Sequence, residues 1–163
     1  YRSQGAKKAL QRQVRPIGVV YNRFAYLIAS TGNREAISYR MDMLQDVKIT
    51  DVGFVPKEGF NFKEWVKESF GVYHGDELLK IQIRFSPDVA ERASKITFHP
   101  SQEQRPQRDG SLILRMECRG HRELIWELMH PDWLGFVQIE SPERLKEEYS
   151  EQLERAKTAV NLG

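Results

Sequence analysis

The sequence predicts an α+β fold in two parts: a small β-barrel, a helical connector, and a βαββαβ domain with a closing helix. Three observations carry this prediction. Residues 14–43 are strand-patterned with turn signals between the runs, residues 59–75 hold an aromatic stripe at helical spacing, and strand and helix periods alternate from residue 78 onward. The expected division is residues 1–56 for the barrel, 57–76 for the connector and 77–163 for the second domain.

In the first part, residues 1–3 are strand-like, and Gly5 with Lys7 and Lys8 is the expected turn after them. Apart from Arg15, residues 14–20 are apolar or β-branched with one proline, and residues 24–29 are a second such run. Asn22-Arg23 makes the tight turn between them. After Thr31, Gly32 and Asn33, residues 36–43 alternate. Ile37, Tyr39, Met41 and Met43 fall on one face, and Ser38, Arg40 and Asp42 on the other. A last strand at residues 47–55 gives about five short strands, which close most easily into a small barrel.

The connector starts at Asn61, an N-cap residue with Glu64 three positions on, while Phe60 and Trp65 are placed as a hydrophobic staple. Phe62, Val66 and Phe70 share a face, and Gly71 is the expected stop. In the second domain, Leu79, Ile81, Ile83 and Phe85 alternate with Lys80, Gln82 and Arg84 as a half-buried strand. Ser86-Pro87 opens a short helix through Ala93. A brief strand at residues 96–99, a polar loop at 100–110, and a strand with Leu112, Leu114, Met116 and Cys118 inward follow. A helix over residues 121–129 and a strand at 136–139 complete βαββαβ, the ferredoxin-like order. Ser141-Pro142 opens the closing helix, whose stripe is Leu145, Tyr149, Leu153, Ala156 and Val160.

Composition narrows the function. The chain has 163 residues, 40% of them hydrophobic, enough for packed cores. No apolar run approaches the ~20 residues that cross a bilayer. One cysteine allows no internal disulfide, which suits a reducing compartment, and the cytoplasm is the expected location. Tyr1 runs directly into strand-like sequence without a Met, so the expectation is a chain that starts inside a longer protein. The net charge of +2 is uneven: eight basic residues against two acidic ones up to Gln45 give +6, leaving −4 for the remainder. A cationic first part favours an anionic partner.

The sequence offers no catalytic constellation. His74, His99, His121 and His130 are scattered, Cys118 stands alone at an inward strand position, and no hydrolase elbow, Walker loop or dinucleotide fingerprint occurs. No enzyme activity and no cofactor are expected. What remains is recognition. Arginine offers a permanently charged fork to phosphate, and an aromatic ring stacks on a base for roughly 1 to 3 kcal/mol. Arg2, Arg12, Arg15 and Arg40 with Tyr1, Tyr26 and Tyr39 supply both groups on neighbouring strands. The competing roles are structural: core filling for Tyr26 and Tyr39, and a surface ion pair with Asp42 or Glu35 for Arg40 and Arg15.

The order Tyr-Arg-Ser at residue 1, Arg-Pro-Ile-Gly-Val-Val-Tyr from Arg15, Ala-Tyr-Leu-Ile-Ala from Ala25 and Ser-Tyr-Arg-Met-Asp from Ser38 resembles the WYL domain of bacterial transcriptional regulators. Ala25 stands where the family's name-giving triplet has Trp, and Met43 where its later block has a second Arg. Phe85-Ser86-Pro87, Asp109-Gly110-Ser111, Glu123-Leu124 and residues 141–145 resemble the extension domain that follows WYL domains. The resemblance implies an Sm-like barrel and an upstream helix-turn-helix domain. It also implies a homodimer and a basic, aromatic surface for single-stranded DNA or a nucleotide-like signal. By motif match that surface comprises Tyr1, Ser3, Arg15, Tyr26 and Arg40, with Arg2 and Arg12 beside them. Two other functions compete: an assembly module without a small ligand, and an Sm-like RNA-binding module in which the 2′-hydroxyl is read.

Overall fold

The computed structural model describes residues 1, 7–32, 34–54 and 59–160, with Arg34 and Glu35 described by backbone alone. The chain divides into two units, Tyr1–Val66 and Lys67–Gly163. The strand expected at residues 1–3 and the turn at Gly5 lie, Tyr1 apart, outside the described residues.

The first unit is built on an antiparallel meander in the order β1-β2-β3. Its strands are β1 (Arg15–Tyr21), β2 (Ala25–Thr31) and β3 (Arg34–Arg40). Val19 pairs with Leu27 and Leu27 with Tyr39, so Tyr39 lies on the side of Leu27 and Ala29 and is 6% exposed. A β-bulge between Pro16 and Gly18 absorbs the proline, which has no N–H to give the ladder. At Gly18 the missing side chain makes room: a Cβ there would stand 2.6 Å from the Phe62 ring.

Among the described residues this sheet is open, which corrects the expected five-stranded closed barrel. β3 ends at Arg40, where residues Met41–Met43 curl into a 3-10 turn closed by the Leu44 N–H donating to the Met41 carbonyl. The alternation expected to continue through Met43 stops there, and Met41 is exposed. Residues 47–54 form no strand. Val47, Ile49, Val52 and Phe54 are spaced two, three and two apart, so a β period cannot hold them on one face, and Asp46 just before them takes a left-handed φ of 51°.

Helix α1 (Phe62–Glu68) begins as the sequence indicates: Asn61 Oδ1 accepts the N–H groups of Lys63 and Glu64 at 3.1 and 3.2 Å. It ends three residues before the expected stop at Gly71. Ser69 forms a parallel bridge with Arg119, and the Phe70 N–H donates to the Arg119 carbonyl at 2.9 Å instead of continuing the helix.

The second unit holds a four-stranded antiparallel sheet in the order β5-β6-β4-β7. Its elements are β4 (Leu78–Phe85), α2 (Pro87–Ser94), β5 (Glu103–Pro106), β6 (Leu112–Arg119), α3 (Arg122–Leu128), β7 (Val137–Ser141) and α4 (Glu143–Val160). Period-two alternation puts Ile81, Ile83, Phe85, Leu112, Leu114, Met116 and Cys118 on one face, where they join Leu124, Leu128, Trp133 and Leu145 in a single core. Each fully buried aliphatic side chain there contributes about 1.5 to 3 kcal/mol by leaving water.

The strand expected at residues 96–99 is instead a turn tied by Gln102. Its amide nitrogen donates to the Ile96 carbonyl, and its oxygen accepts from Phe98 N at 2.6 Å. The strand lies downstream, as β5, in the stretch read as a loop. Glu103, Gln104, Arg105 and Pro106 pair with β6 at the sheet edge, and an exposed edge strand needs no apolar alternation to reveal it. The expected stripe on α4 is used as far as Leu153: Leu145 is fully buried, Tyr149 and Leu153 partly, while Ala156 is exposed and Val160 is 82% exposed.

Gly120, between β6 and α3, has φ +75°, and a Cβ there would come 1.6 Å from the Tyr73 carbonyl oxygen. Backbone stands in the way, so no rotamer change relieves the clash. We expect Gly120→Ala to cost about 3 kcal/mol or more of stability, as a fall in the urea midpoint.

Candidate functional site

The candidate surface forms where β2 and β3 meet at one end of the meander. Tyr26 is the register partner of Arg40, so both project to the face opposite Tyr39. Beyond Arg40 the 3-10 turn folds Asp42 back. Its carboxylate accepts from Arg40 Nε at 3.0 Å and from Nη2 at 2.5 Å, a two-point pairing on one edge of the guanidinium. On the other side of the chain, the turn after β1 brings Phe24 against the guanidinium plane, with Cζ 3.7 Å from the ring centroid. Arg23 lies at 5.6 Å from the same ring.

The electrostatics follow from this packing. The hydrogen bond that Arg40 donates to Asp42, with the charge of that carboxylate, raises the guanidinium above its ordinary value against the opposing effect of burial; the Tyr26 and Tyr1 phenols act in the same direction as Asp42. Arg40 in turn holds the Asp42 carboxyl below the usual range, chiefly through the hydrogen bond. Tyr1 stands edge-on to Tyr39 with centroids 5.0 Å apart, and it exchanges backbone hydrogen bonds of 2.9 Å with Leu10.

Of the seven residues expected to bind, the fold sets Tyr26 opposite Arg40, while Tyr1 packs against Tyr39 and acts on the Arg40 charge only electrostatically. Arg2 and Ser3 lie outside the described residues. Arg15 pairs with Ser30, four positions along β2 from Tyr26, which is about 13 Å at ~3.3 Å per residue. The Phe62 ring covers the intervening position at Gly18, the register partner of Ile28. Arg12 is exposed in the segment before β1. Arg15 and Arg40 therefore stand apart on the sheet. Phe24 is the member that sequence reasoning placed in a strand and left out of the site. Its signal was available, since Phe24 precedes Tyr26 by two, as Asp42 follows Arg40 by two.

The second unit carries polar clusters of another kind. Arg84 Nε donates to Glu140 at 2.6 Å and Arg84 Nη1 to Ser111 at 3.0 Å, while Gln82 bridges Glu140 and Arg115. Among the described residues no group of three or more His, Cys, Asp or Glu could hold a metal ion. His99 is 4% exposed and desolvation lowers its pKa. Its Nδ1 meets the Ser101 hydroxyl at 2.8 Å, but that hydroxyl is also tied to the Glu117 carbonyl and N–H. A serine so engaged is a structural bridge. Cys118 is fully buried, and burial pushes its thiol up to about 12. The native chain should therefore resist a thiol-alkylating reagent at neutral pH and take up one equivalent in urea, read by intact mass.

No helix among the described residues is long and apolar enough to cross a membrane. No curated protein matches the chain. Residues 1–49 match the WYL domain and residues 77–157 the WCX domain, the C-terminal extension of WYL proteins. The two matches fall in the same order as the two sheets and account for most of the sequence: the chain belongs to the WYL-domain regulator family and carries a WYL domain followed by a WCX domain.

Proposed function

We propose that this chain is the ligand-sensing and dimerising region of a bacterial, cytoplasmic transcriptional regulator. Its WYL domain binds single-stranded DNA or a nucleotide-like anion and thereby controls an upstream helix-turn-helix domain. On this reading the first unit is a variant of the Sm-like fold, and the second, with its β5-β6-β4-β7 order, is ferredoxin-like. The observation that carries the proposal is the guanidinium of Arg40 stacked on the Phe24 ring, with Tyr26 as its cross-strand register partner, in the cationic part of a WYL-domain chain. It pairs a fork for phosphate with rings for bases. Coupling to the DNA-binding domain requires that the ligand favour one of two arrangements of the protein.

One observation favours a second function, an assembly module that takes no small anion. Arg40 is already paired with Asp42, and Arg15 stands apart. Sedimentation separates the two: the assembly module gives a dimer indifferent to oligonucleotide.

Titration of a labelled single-stranded oligonucleotide into the chain at two salt concentrations tests the sensing function. Saturable binding is expected, with an affinity that falls as salt rises and that drops on Arg40→Ala. Absence of saturation, or affinity indifferent to salt, removes the proposal.

A further inference from the structure

We infer that Asp42 is a built-in competitor for the ligand of the Arg40 surface, a carboxylate that occupies the guanidinium until a phosphate displaces it. This inference rests on the proposed binding function and concerns its regulation.

The geometry is that of a ligand rather than a scaffold. Asp42 engages Nε and Nη2 together, the same side-on fork by which arginine takes two oxygens of a phosphate. Phe24 closes one face of the guanidinium plane, so the group cannot turn freely to present a fresh edge. The pair is nonetheless open to solvent: the Asp42 side chain is 49% exposed, against 22% for Arg40. An incoming anion therefore reaches the carboxylate first and meets a fork whose charge is already balanced.

Asp42 is also placed to leave. It sits in the 3-10 turn after β3, outside the sheet ladder, and the ion pair together with the backbone is all that the structure gives it as a partner among the described residues. Arg40, by contrast, is fixed by its β-register opposite Tyr26. Displacement moves the acid and leaves the arginine and the rings where they are. Because Arg40 holds the carboxyl below its usual range, mild acidification does not open the site; only a competing anion or loss of the charge does. The consequence is a threshold: a lone weak anion fails to compete, whereas a phosphate whose base also stacks on the neighbouring rings adds the contact that tips the exchange.

The test compares wild type, Asp42→Asn, Asp42→Ala and Asp42→Asn combined with Arg40→Ala, using fluorescein-labelled oligodeoxythymidine at low and raised salt. Thermal unfolding of each variant checks that it is folded. Both single variants are expected to bind about tenfold tighter than wild type, and the gain should vanish when Arg40 is also replaced. If wild type binds and either folded Asp42 variant binds equally or more weakly, Asp42 positions the arginine and the inference falls, while the binding function stands. If neither wild type nor the variants bind, the binding function falls and the inference with it. Tighter binding that persists without Arg40 also overturns the inference, since it would come from the general change in charge.

Discussion

The pairing of Tyr26 with Arg40 across β2 and β3 is the constraint on which the candidate surface depends. Side chains alternate along a strand, so a slip of one residue would send Arg40 to the side of Leu27 and Ala29 and bring Tyr39 outward. That slip is opposed by the packing of Tyr39, 6% exposed, and by Ala29, which has no exposed surface. The position of a surface guanidinium is thus held by apolar burial on both faces, Tyr39 and Ala29 on one and Ile28, on the guanidinium's own side, on the other. The turns at either end then add what the sheet alone lacks: Phe24 from the turn after β1, and Asp42 from the turn after β3.

The second unit obeys the same alternation with a different outcome. One face of its sheet is covered by helices and makes a single core from Phe70 to Leu145. The other face is polar, and its groups satisfy one another. Arg84 serves Glu140, Ser111 and Asp109, while Gln82 joins Arg115 to Glu140. Charges bound into such a network offer little free electrostatic pull on a partner. Where charge is concerned, the distinction between the units lies less in how many basic residues each has than in how many acids stand within reach of them.

Elements whose apolar residues repeat over several turns or strand steps were legible from the sequence. The β4 alternation, the Ser86-Pro87 helix start, the Asn61 cap and the inward row ending at Cys118 all appear where the pattern put them. The failures share a cause. Residues 47–54 look strand-like by composition, yet their apolar positions do not keep a period of two. β5 keeps no apolar period because it lies at an exposed edge, and the β6 ladder alone recruits it. The site was half legible for a related reason. Arg40 and Tyr26 are partners on paired strands, whereas Arg15 lies opposite Ser30, a separation that the order of residues along the chain does not reveal.

By itself, then, the sequence determined the class, the two-part order, the core faces and the cationic bias of the first part. Each of these is a local or additive property, a period, a cap or a sum of charges. Tertiary structure alone decided which groups meet. Register set Arg15 opposite Ser30 rather than beside Arg40, and Phe62 came from α1 to cover Gly18 between them. The 3-10 turn aimed Asp42 at the arginine that stacks on Phe24. Proximity between residues far apart in the chain is a property of how strands pair and helices pack, and spacing along the sequence does not encode it.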